Sequence, residues 1–218
     1  MEGAVGLELG ERDQLALRAG QRPPRPGEPV VGERDQLVEA ATDVAPVETD
    51  GTVDPAGCAA WMDPARTMLG PEQERWLADS LGRSAGEGGW NLLGQTTLFG
   101  PRDFKPGAGQ ILWNDGWDGY TPARLRLIDA LRKHRVANPV LLGGDVHENW
   151  VGHVLADNAD PASASVGVEF CGTSITSRSS GSARTAERLA ENPHFVFADA
   201  ERRGYGIADI TPQQMSVS

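Results

Sequence analysis

The sequence predicts an α/β layered fold for residues 61–218, behind a segment of different character at residues 1–60. From Trp61 onward, short apolar runs typical of buried strands alternate with amphipathic stretches typical of helices. Two of the apolar runs end in polar residues, at Gln95 and at Asp145. In open α/β sheets the functional groups collect at the carboxyl ends of the strands, so we expect a site at these two ends.

Residues 1–60 are rich in Gly, Pro, Glu and Arg and show no clear periodicity. The hexapeptide Gly-Glu-Arg-Asp-Gln-Leu occurs twice, at 10–15 and 32–37, which is too short and too few for a solenoid. Such a segment buries too little apolar surface to offset the entropy lost on ordering, so we predict that it is largely disordered. A duplicated linker and an unrelated sequence fused ahead of a fragment both fit this composition.

Two helices are predicted from their start signals and their apolar faces. The first begins near Gly70-Pro71, where an early proline and the acidic residues that follow suit the positive end of the helix dipole. The second is capped by Thr121-Pro122 and runs through Arg135. The two apolar faces consist of Trp76, Leu77 and Leu81 in the first helix and of Leu125, Ile128 and Leu131 in the second.

Two short buried strands are predicted at residues 90–95 and 139–145, and the second ends in a Gly-Gly-Asp turn. Between them lies a loop rich in Gly, Pro and Asp at residues 100–119. Further strands are predicted at 150–156, 166–170 and 205–210. The alternation of strands with helices indicates a layered sheet rather than a helical bundle.

Composition and charge exclude several classes of partner. The formal net charge of −11 argues against binding to nucleic acid or to an anionic membrane. It is compatible with a phosphate-ester substrate, because a bound dication reverses the local sign of a site. No run approaches the roughly 18 to 20 apolar residues of a membrane span, and no export signal is visible. Cys58 and Cys171 could form one disulfide bridge, which is too little for a disulfide framework.

Asp145 and His147 are the sharpest chemical signal in the chain. Both follow a predicted buried strand at a Gly-Gly bend, and on an extended segment residues two apart point the same way. A carboxylate oxygen and an imidazole nitrogen are suitable ligands for zinc, iron or manganese. The alternative is an Asp that caps a turn beside an ordinary solvent-facing His, because Asp-x-His is a short and common pattern.

The residues around this pair form a longer and more specific pattern than the pair itself. The run Asn-Pro-Val-Leu-Leu-Gly-Gly-Asp-Val-His-Glu-Asn-Trp at 138–150 resembles the Gly-Asp-Val-His-x-x-Trp signature of alkaline phosphatase D-like proteins. Other segments match that family in the same order, and they are residues 66–70 with 72–77, 90–95, 113–120, 169–175 and 202–205. The resemblance extends over residues 63–215.

The resemblance implies a calcineurin-like metallophosphoesterase fold, in which two mixed sheets pack together with helices on the outer faces. Members of the family hydrolyse phosphomonoesters, phosphodiesters or both with two divalent or trivalent metal ions, drawn from iron, calcium, zinc and manganese. By this resemblance Asp145 and His147 are the last pair of metal ligands and the catalytic residues of this chain. The family is often exported to the periplasm or beyond.

Four further residues are candidate substrate contacts by the same resemblance. Gln95 lies where related folds place a ligand or a phosphate-contacting group, although it could equally cap the end of a core strand. Asp115 and Asp118 belong to a segment that resembles the loop beside the catalytic cleft, but Asp-Gly pairs are also common in turns. Tyr120 either forms a wall of the cleft or packs beneath it.

The remaining histidines and the second cysteine are expected to play structural roles, with one exception. His194 is expected to border the cleft, because its Asn-Pro-His context is similar to the family. His153 is predicted to be a cross-strand surface residue, His134 a structural cation at a helix end, and Cys171 a small buried hydrophobe. The hydroxyls of Thr173, Ser174 and Thr176 could donate to phosphate or be structural.

Two strong ligands are too few for a two-metal site, and residues 1–60 contain no His. We therefore expect the family fold to be incomplete at both ends, with a final hairpin cut off just after Thr211-Pro212. The expected function is metal-dependent hydrolysis of phosphoric esters, impaired in this chain. The alternatives are a non-catalytic remnant that has lost metal binding and a one-metal hydrolase.

Overall fold

A computed structural model of the chain describes residues 6–10, 14–18 and 51–218. Its centre is a five-stranded mixed sheet that carries two helices on one face and a smaller antiparallel sheet on the other. The predicted α/β class with helices flanking a mixed sheet is therefore confirmed. This smaller sheet, which joins Gly6–Gly10, Gln14–Arg18, Gln214–Val217 and Ala208–Ile210 in that order, is antiparallel, in contrast to the two mixed sheets that were expected.

The elements are three α-helices, eleven strands and two short 3₁₀ helices within the described residues. The helices are α1 (Pro71–Ser84), α2 (Thr121–His134) and α3 (Ser182–Glu191), and the 3₁₀ helices are Pro55–Gly57 and Trp117–Tyr120. The strands are β1 (Gly6–Gly10), β2 (Gln14–Arg18), β3 (Thr52–Val53), β4 (Asn91–Gly94), β5 (Leu112–Trp113), β6 (Pro139–Gly143), β7 (Asn149–Leu155), β8 (Ser165–Cys171), β9 (Phe195–Asp199), β10 (Ala208–Ile210) and β11 (Gln214–Val217).

The order of the central sheet is β4-β6-β8-β7-β9. Strands β4, β6 and β8 run parallel, whereas β7 is antiparallel to both of its neighbours. Because the three parallel strands end at the same edge, the loops that follow residues 94, 143 and 171 meet there. This edge carries the candidate site described below.

The two faces of the sheet are built from alternating residues of the same strands. In β6, Leu141 packs with Leu81 of α1 and with Ile128 of α2, on the helical face. Its neighbour Val140 packs on the opposite face with Met215 of β11. The run of apolar residues in β6 thus reflects burial on both faces, which is typical of a central parallel strand.

Both predicted helices are confirmed, with small changes at their ends. Helix α1 begins with Pro71 directly after Gly70, as its start signal indicates. Helix α2 has Thr121 as its first residue rather than as its cap, and the Thr121 hydroxyl donates to the Asp118 carbonyl. Arg135 ends α2 in the left-handed conformation, with φ 49°. None of the described helices has the length and apolar character needed to span a membrane.

Strand β4 differs from the buried strand that was predicted. It forms one side of the sheet, so Leu92 remains 46% exposed. Trp76 of α1, assigned to the apolar face of that helix, is 57% exposed. Two leucines in a strand of four residues do not distinguish an edge strand from a central one, because the distinction depends on whether a further strand pairs with it.

The N-terminal region contains more structure than its composition predicts. Strands β1 and β2 pair with each other, and β2 also pairs with β11. Farther along, Val53 and Cys58 are buried in one cluster with Trp61 and Leu112. These stretches differ from the predicted disorder, while residues 1–5, 11–13 and 19–50 lie outside the described part. The domain boundary at residue 61 stays a prediction.

The C-terminal end also differs from the expectation. Strands β10 and β11 form an antiparallel hairpin with Ile210 opposite Met215, so the final hairpin that was expected to be cut off is present. Met215 is fully buried against the central sheet, which holds the hairpin in place. Helix α3 was not predicted, because it is mostly polar and buries little besides Thr185. Strand β9 was not predicted either.

Candidate metal site

Asp145 and His147 lie in the connection between β6 and β7, at the edge where the parallel strands end. This connection is bent rather than extended. Asp145 has φ 71° and His147 has φ 61°, both in the left-handed region that residues other than glycine rarely adopt. Each such conformation costs on the order of 1–3 kcal/mol and persists where the surroundings impose it, often at functional sites. The expectation that both side chains point the same way rested on an extended segment, and that premise is wrong.

Asp145 is oriented by the loop that follows β4. Its Oδ2 accepts a hydrogen bond from the Thr97 hydroxyl at 3.1 Å. The two loops approach closely because residue 143 is a glycine. A Cβ at Gly143 would lie 2.1 Å from the Thr97 carbonyl oxygen, closer than any side chain could tolerate. The carboxylate itself is solvent-exposed.

His147 is oriented by the loop that follows β8. Its Nδ1 lies 3.2 Å from the Arg178 carbonyl oxygen, an acceptor that requires the proton on Nδ1. In that tautomer the lone pair is on Nε2, the arrangement found for histidines that bind a metal. The main chain is held as well, because the Arg203 guanidinium donates to the His147 carbonyl at 3.4 Å.

Glu148 anchors the connection from inside the protein. It is 1% exposed, and its carboxylate accepts from the Trp150 indole at 2.9 Å and from the Ser180 amide at 3.0 Å. Arg102 completes the site with an ion pair at 3.3 Å. Burial alone would raise the pKa of Glu148, but the hydrogen bonds from Ser180 and Trp150 and the charge of Arg102 together lower it. Glu148 therefore fixes the residue next to His147 as a buried carboxylate.

This arrangement predicts a specific dependence of stability on pH. A lowered folded pKa gives stabilisation that is present above the unfolded pKa, about 4.3, and is lost as pH falls through the folded value. Glu148→Gln should therefore lower the free energy of unfolding by about 1–3 kcal/mol at neutral pH, and the difference should shrink below about pH 4. Urea unfolding of both proteins across this range checks it, with exposed Glu72→Gln as the control. A difference that stays constant down to the lowest pH would contradict the prediction.

Three of the four candidate substrate contacts have side chains that are engaged within the protein. Both amide atoms of Gln95 are engaged, since Nε2 donates to the Thr97 carbonyl and Oε1 accepts from the Trp117 indole at 3.0 Å. Asp118 is 7% exposed and pairs with Arg124, while Tyr120 lies under the Arg66 guanidinium. Asp115 is exposed and contributes its carbonyl to Trp113. The geometry favours the structural alternative for Gln95, Asp118 and Tyr120.

The hydroxyl-rich end of β8 is likewise engaged within the protein. The Thr173 hydroxyl lies 3.4 Å from the His147 carbonyl and accepts from Arg203 at 3.3 Å. The Ser174 hydroxyl donates to the Ser177 carbonyl at 2.7 Å. These contacts hold the loop around His147, which favours a structural role for both residues.

The other histidines are structural. His134 packs over Gly82 and joins α2 to α1. His153 is half-buried on β7, with Nδ1 3.2 Å from the Ser165 hydroxyl. His194 was expected to border the cleft, but it is partly buried and packs against Phe195, and burial lowers its pKa to about 4. It therefore stays neutral at pH 7.

The two cysteines are buried free thiols, so the bridge that the sequence allowed is not formed. Burial, followed by the nearby charge of Glu169, raises the pKa of the Cys171 thiol far above its usual range. Its Sγ donates to the Gly144 carbonyl at 3.1 Å. Cys171 thus packs as a small buried residue, as predicted.

Sequence reasoning missed the residues that orient the two candidate ligands. Thr97 and Arg178 lie 48 positions before Asp145 and 31 positions after His147, respectively. Neither distance follows a secondary-structure period, so only the fold brings the residues together. Glu148 directly follows His147, but it occupies a position that the Gly-Asp-Val-His-x-x-Trp signature leaves open, so the signature did not indicate its role.

The donor set fits part of a metal site. Asp145 offers an anionic oxygen and His147 a neutral nitrogen, both suitable for a first-row transition metal. Within residues 6–10, 14–18 and 51–218, however, no three His, Cys, Asp or Glu side chains form a group that could hold an ion. Among the described residues, Asp145 and His147 are therefore at most a partial set of candidate ligands.

The fold and this edge define an α/β protein with a candidate metal site at the carboxyl ends of three parallel strands. The chain belongs to the PhoD-like phosphatase family, whose model matches residues 33–218. The match begins ahead of the boundary that composition predicted at residue 61.

Two relatives support this assignment. Alkaline phosphatase D of Bacillus subtilis (strain 168) is 40% identical over 155 residues, which are 70% of this chain and 26% of that protein. A solved structure titled "Structure of PhoD" is 38% identical, with a TM-score of 0.67 over 74% of this chain and 31% of that one. The chain thus spans about a quarter to a third of the length of these relatives, and it corresponds to their C-terminal part.

Proposed function

We propose that this chain carries the C-terminal part of the active site of a metal-dependent phosphoric ester hydrolase. Asp145 and His147 are the metal ligands that it contributes, and the substrates are phosphomonoesters, phosphodiesters or both. The observation that carries the proposal is the connection at residues 144–148, in which two potential ligands in left-handed conformations are each held by another loop. The match to the family over residues 33–218 supports the reaction class.

The two proposed ligands and the residues that hold them each have a defined part in this proposal. Thr97 holds the Asp145 carboxylate with one hydrogen bond, and the Arg178 carbonyl keeps the proton on Nδ1 of His147. Nε2 of His147 and the carboxylate oxygens of Asp145 would be the atoms that hold a metal ion. Metal ions bound here would polarise the phosphoryl group and lower the pKa of a bound water. Glu148 keeps the connection rigid, because four donors converge on its buried carboxylate.

This proposal predicts that the chain by itself has low activity. One oxygen and one nitrogen ligand cannot hold two ions at the separation of about 3.5–4 Å that two-metal hydrolysis requires. We expect the purified chain to hydrolyse p-nitrophenyl phosphate and its bis ester no faster with added Mn²⁺, Zn²⁺, Ca²⁺ or Fe²⁺ than the Asp145→Asn variant does. Turnover by a monodisperse sample that requires metal and is abolished in that variant would contradict the expected impairment.

A non-catalytic remnant is the second candidate function. The observation that favours it is the small number of ligands gathered by the described residues. Metal content separates the two proposals, because a partial site still binds one ion weakly through Asp145 and His147. Equilibrium dialysis that finds the same metal content in the wild type and in His147→Ala would favour the remnant.

A further inference from the structure

The loop that follows β4 holds both ends of the connection that carries the two candidate ligands. Near the start of the loop, the Thr97 hydroxyl donates to Asp145 Oδ2 at 3.1 Å. Near its end, the Arg102 guanidinium forms an ion pair with Glu148 at 3.3 Å. A displacement of residues 97–102, which we call the 97–102 loop, would therefore move both ends of the connection. The geometry of the proposed metal site thus depends on what fixes this loop.

The middle of the 97–102 loop is held by Glu169 of β8. The two oxygens of its carboxylate accept from two successive backbone amides, that of Phe99 and, at 2.8 Å, that of Gly100. Glu169 is only 1% exposed, so these hydrogen bonds are shielded from water. A Cβ at residue 100 would lie 3.1 Å from Glu169 Oε2, so a glycine here allows the close approach. One buried carboxylate therefore anchors the loop between its two contacts with the metal connection.

The surroundings of Glu169 compensate its negative charge only in part. Arg124 of α2 faces it, but the Arg124 guanidinium is already paired with Asp118, whose negative charge faces Glu169 as well. Burial therefore outweighs the two amide hydrogen bonds and the charge of Arg124, and it raises the pKa of Glu169 to about 7. The uncharged neighbours are Leu141 of β6, Gly152 of β7, the Cys171 thiol and the neutral His194. Glu169 thus takes up a proton close to neutral pH.

A proton on Glu169 changes what the side chain can hold. The ionised carboxylate only accepts hydrogen bonds, whereas the protonated carboxyl has one O–H that donates. A hydroxyl at Oε2 is a weaker acceptor for the Gly100 amide and needs an acceptor of its own. His194 Nε2 is buried without a partner among the described residues, and it lies 3.3 Å from the point where a Cβ at residue 100 would stand. Oε2 lies 3.1 Å from the same point, so His194 is placed to accept from it.

We propose that Glu169 is a positioning residue of the proposed metal site, whose ionised carboxylate holds the 97–102 loop where it can orient Asp145. When Glu169 takes up a proton from solvent, its hydroxyl turns to His194 Nε2 and the Gly100 amide is released. The loop then has one anchor instead of two, and the Asp145 carboxylate is held less firmly. This role rests on the proposed function, because the loop affects metal binding only if Asp145 is a ligand.

An NMR titration of the full chain without metal tests the anchor itself. Between about pH 5.5 and about pH 8.5, we expect the amide signals of Phe99 and Gly100 to shift together with one midpoint near pH 7. The Thr97 amide signal should follow the same transition. In Glu169→Gln the transition should vanish, because an amide side chain does not titrate. If the wild-type Phe99 and Gly100 signals show no common transition, the inference is overturned, whether or not the variant folds.

The Mn²⁺ affinity of the full chain tests the link from Glu169 to the ligands. It is measured for the wild type and for Glu169→Gln from the EPR signal of free Mn²⁺, at about pH 8 and at about pH 6. At the higher pH the variant should bind at least about tenfold more weakly, the loss typical of an outer partner of a metal ligand. At the lower pH the wild-type carboxyl is mostly protonated, so the two affinities should agree within about twofold.

The dependence of this difference on pH separates positioning from a merely structural role. A variant with a damaged fold would bind Mn²⁺ more weakly at both pH values. Protonation of His147 weakens binding in both proteins alike, so it cancels in the ratio of their affinities. Glu74→Gln is the matched control, because it breaks an ion pair with Arg126 and does not contact the 97–102 loop. Its affinity should equal that of the wild type at both pH values.

The outcomes distinguish this role from the proposed function. Mn²⁺ binding that is lost in Asp145→Asn but unchanged in Glu169→Gln at about pH 8 would overturn the role of Glu169 and leave the proposed function intact. An equal loss of affinity in Glu169→Gln at both pH values would also overturn it. If neither the wild type nor Glu169→Gln binds Mn²⁺, the proposed function is contradicted and the positioning role fails with it.

Discussion

Asp145→Asn and His147→Ala are each expected to remove most of the metal-dependent phosphatase activity of a complete enzyme that contains this chain. Such an enzyme can be made by replacing the matched C-terminal part of the Bacillus subtilis relative with residues 63–218. Each substitution removes one proposed ligand, an anionic oxygen or a neutral nitrogen. Because loss of even an outer partner of a metal ligand costs about 10- to 100-fold, we expect activity to fall by at least about 100-fold.

The control variants carry similar substitutions of an aspartate and a histidine at positions away from the proposed metal site. Asp129→Asn alters an exposed carboxylate on α2, and His134→Gln alters a histidine that packs on Gly82. Both should retain activity and metal content close to those of the unsubstituted enzyme. Asp145→Asn should also lower the metal content at a given free metal concentration. Unchanged turnover in both ligand variants would show that the Asp-x-His interpretation is wrong.

Gly143→Ala is expected to have the largest effect on stability. The new Cβ would lie 2.1 Å from the Thr97 carbonyl oxygen and 2.4 Å from Gln95 Nε2, so the ends of β6 and β4 must separate. Overpacking costs about 1–3 kcal/mol where side chains can move, and contact with backbone raises this. We expect the melting temperature to fall by at least about 5 °C, given that about 1 kcal/mol corresponds to 2–4 °C in a chain of this size.

Gly144→Ala provides the matched control for this effect. The neighbouring Cβ would meet only the Thr96 and Gly172 carbonyl oxygens, at 3.9 and 4.0 Å, which is ordinary contact. The same added methyl group should therefore change the melting temperature by no more than about 2 °C. Equal melting temperatures for the two variants would contradict the close approach of the two loops on which the position of Asp145 depends.

The parts of the fold that could be predicted are those whose signal is local. Proline and acidic residues at the start of α1 and the apolar run at β6 each follow from a few neighbouring residues. Strand β4 was assigned correctly as a strand and wrongly as a buried one, since its exposure depends on the partner beside it. Helix α3 was missed, because it is short and mostly polar, although its few apolar residues, such as Ala186 and Leu189, share one face.

The candidate site shows the same division between local and distant information. Asp145 and His147 were found because they stand together in a signature. Their supporting residues, Thr97 and Arg178, are separated from them by 48 and 31 positions and are brought together only by the sheet. From the sequence, Asp118 was a candidate substrate contact. The fold places Arg124 beside it, and the two side chains form a buried ion pair.

Mn²⁺ titration followed by NMR measures directly whether the connection at residues 144–148 binds a metal. Paramagnetic Mn²⁺ broadens the amide signals nearest to it, even when the site is weak and the ion is substoichiometric. We predict that the signals of residues 144–148 broaden first, and that this broadening disappears in Asp145→Asn and in His147→Ala. Broadening that begins instead at the exposed Asp157 and Asp160, and persists in both variants, would contradict the assignment of Asp145 and His147 as ligands.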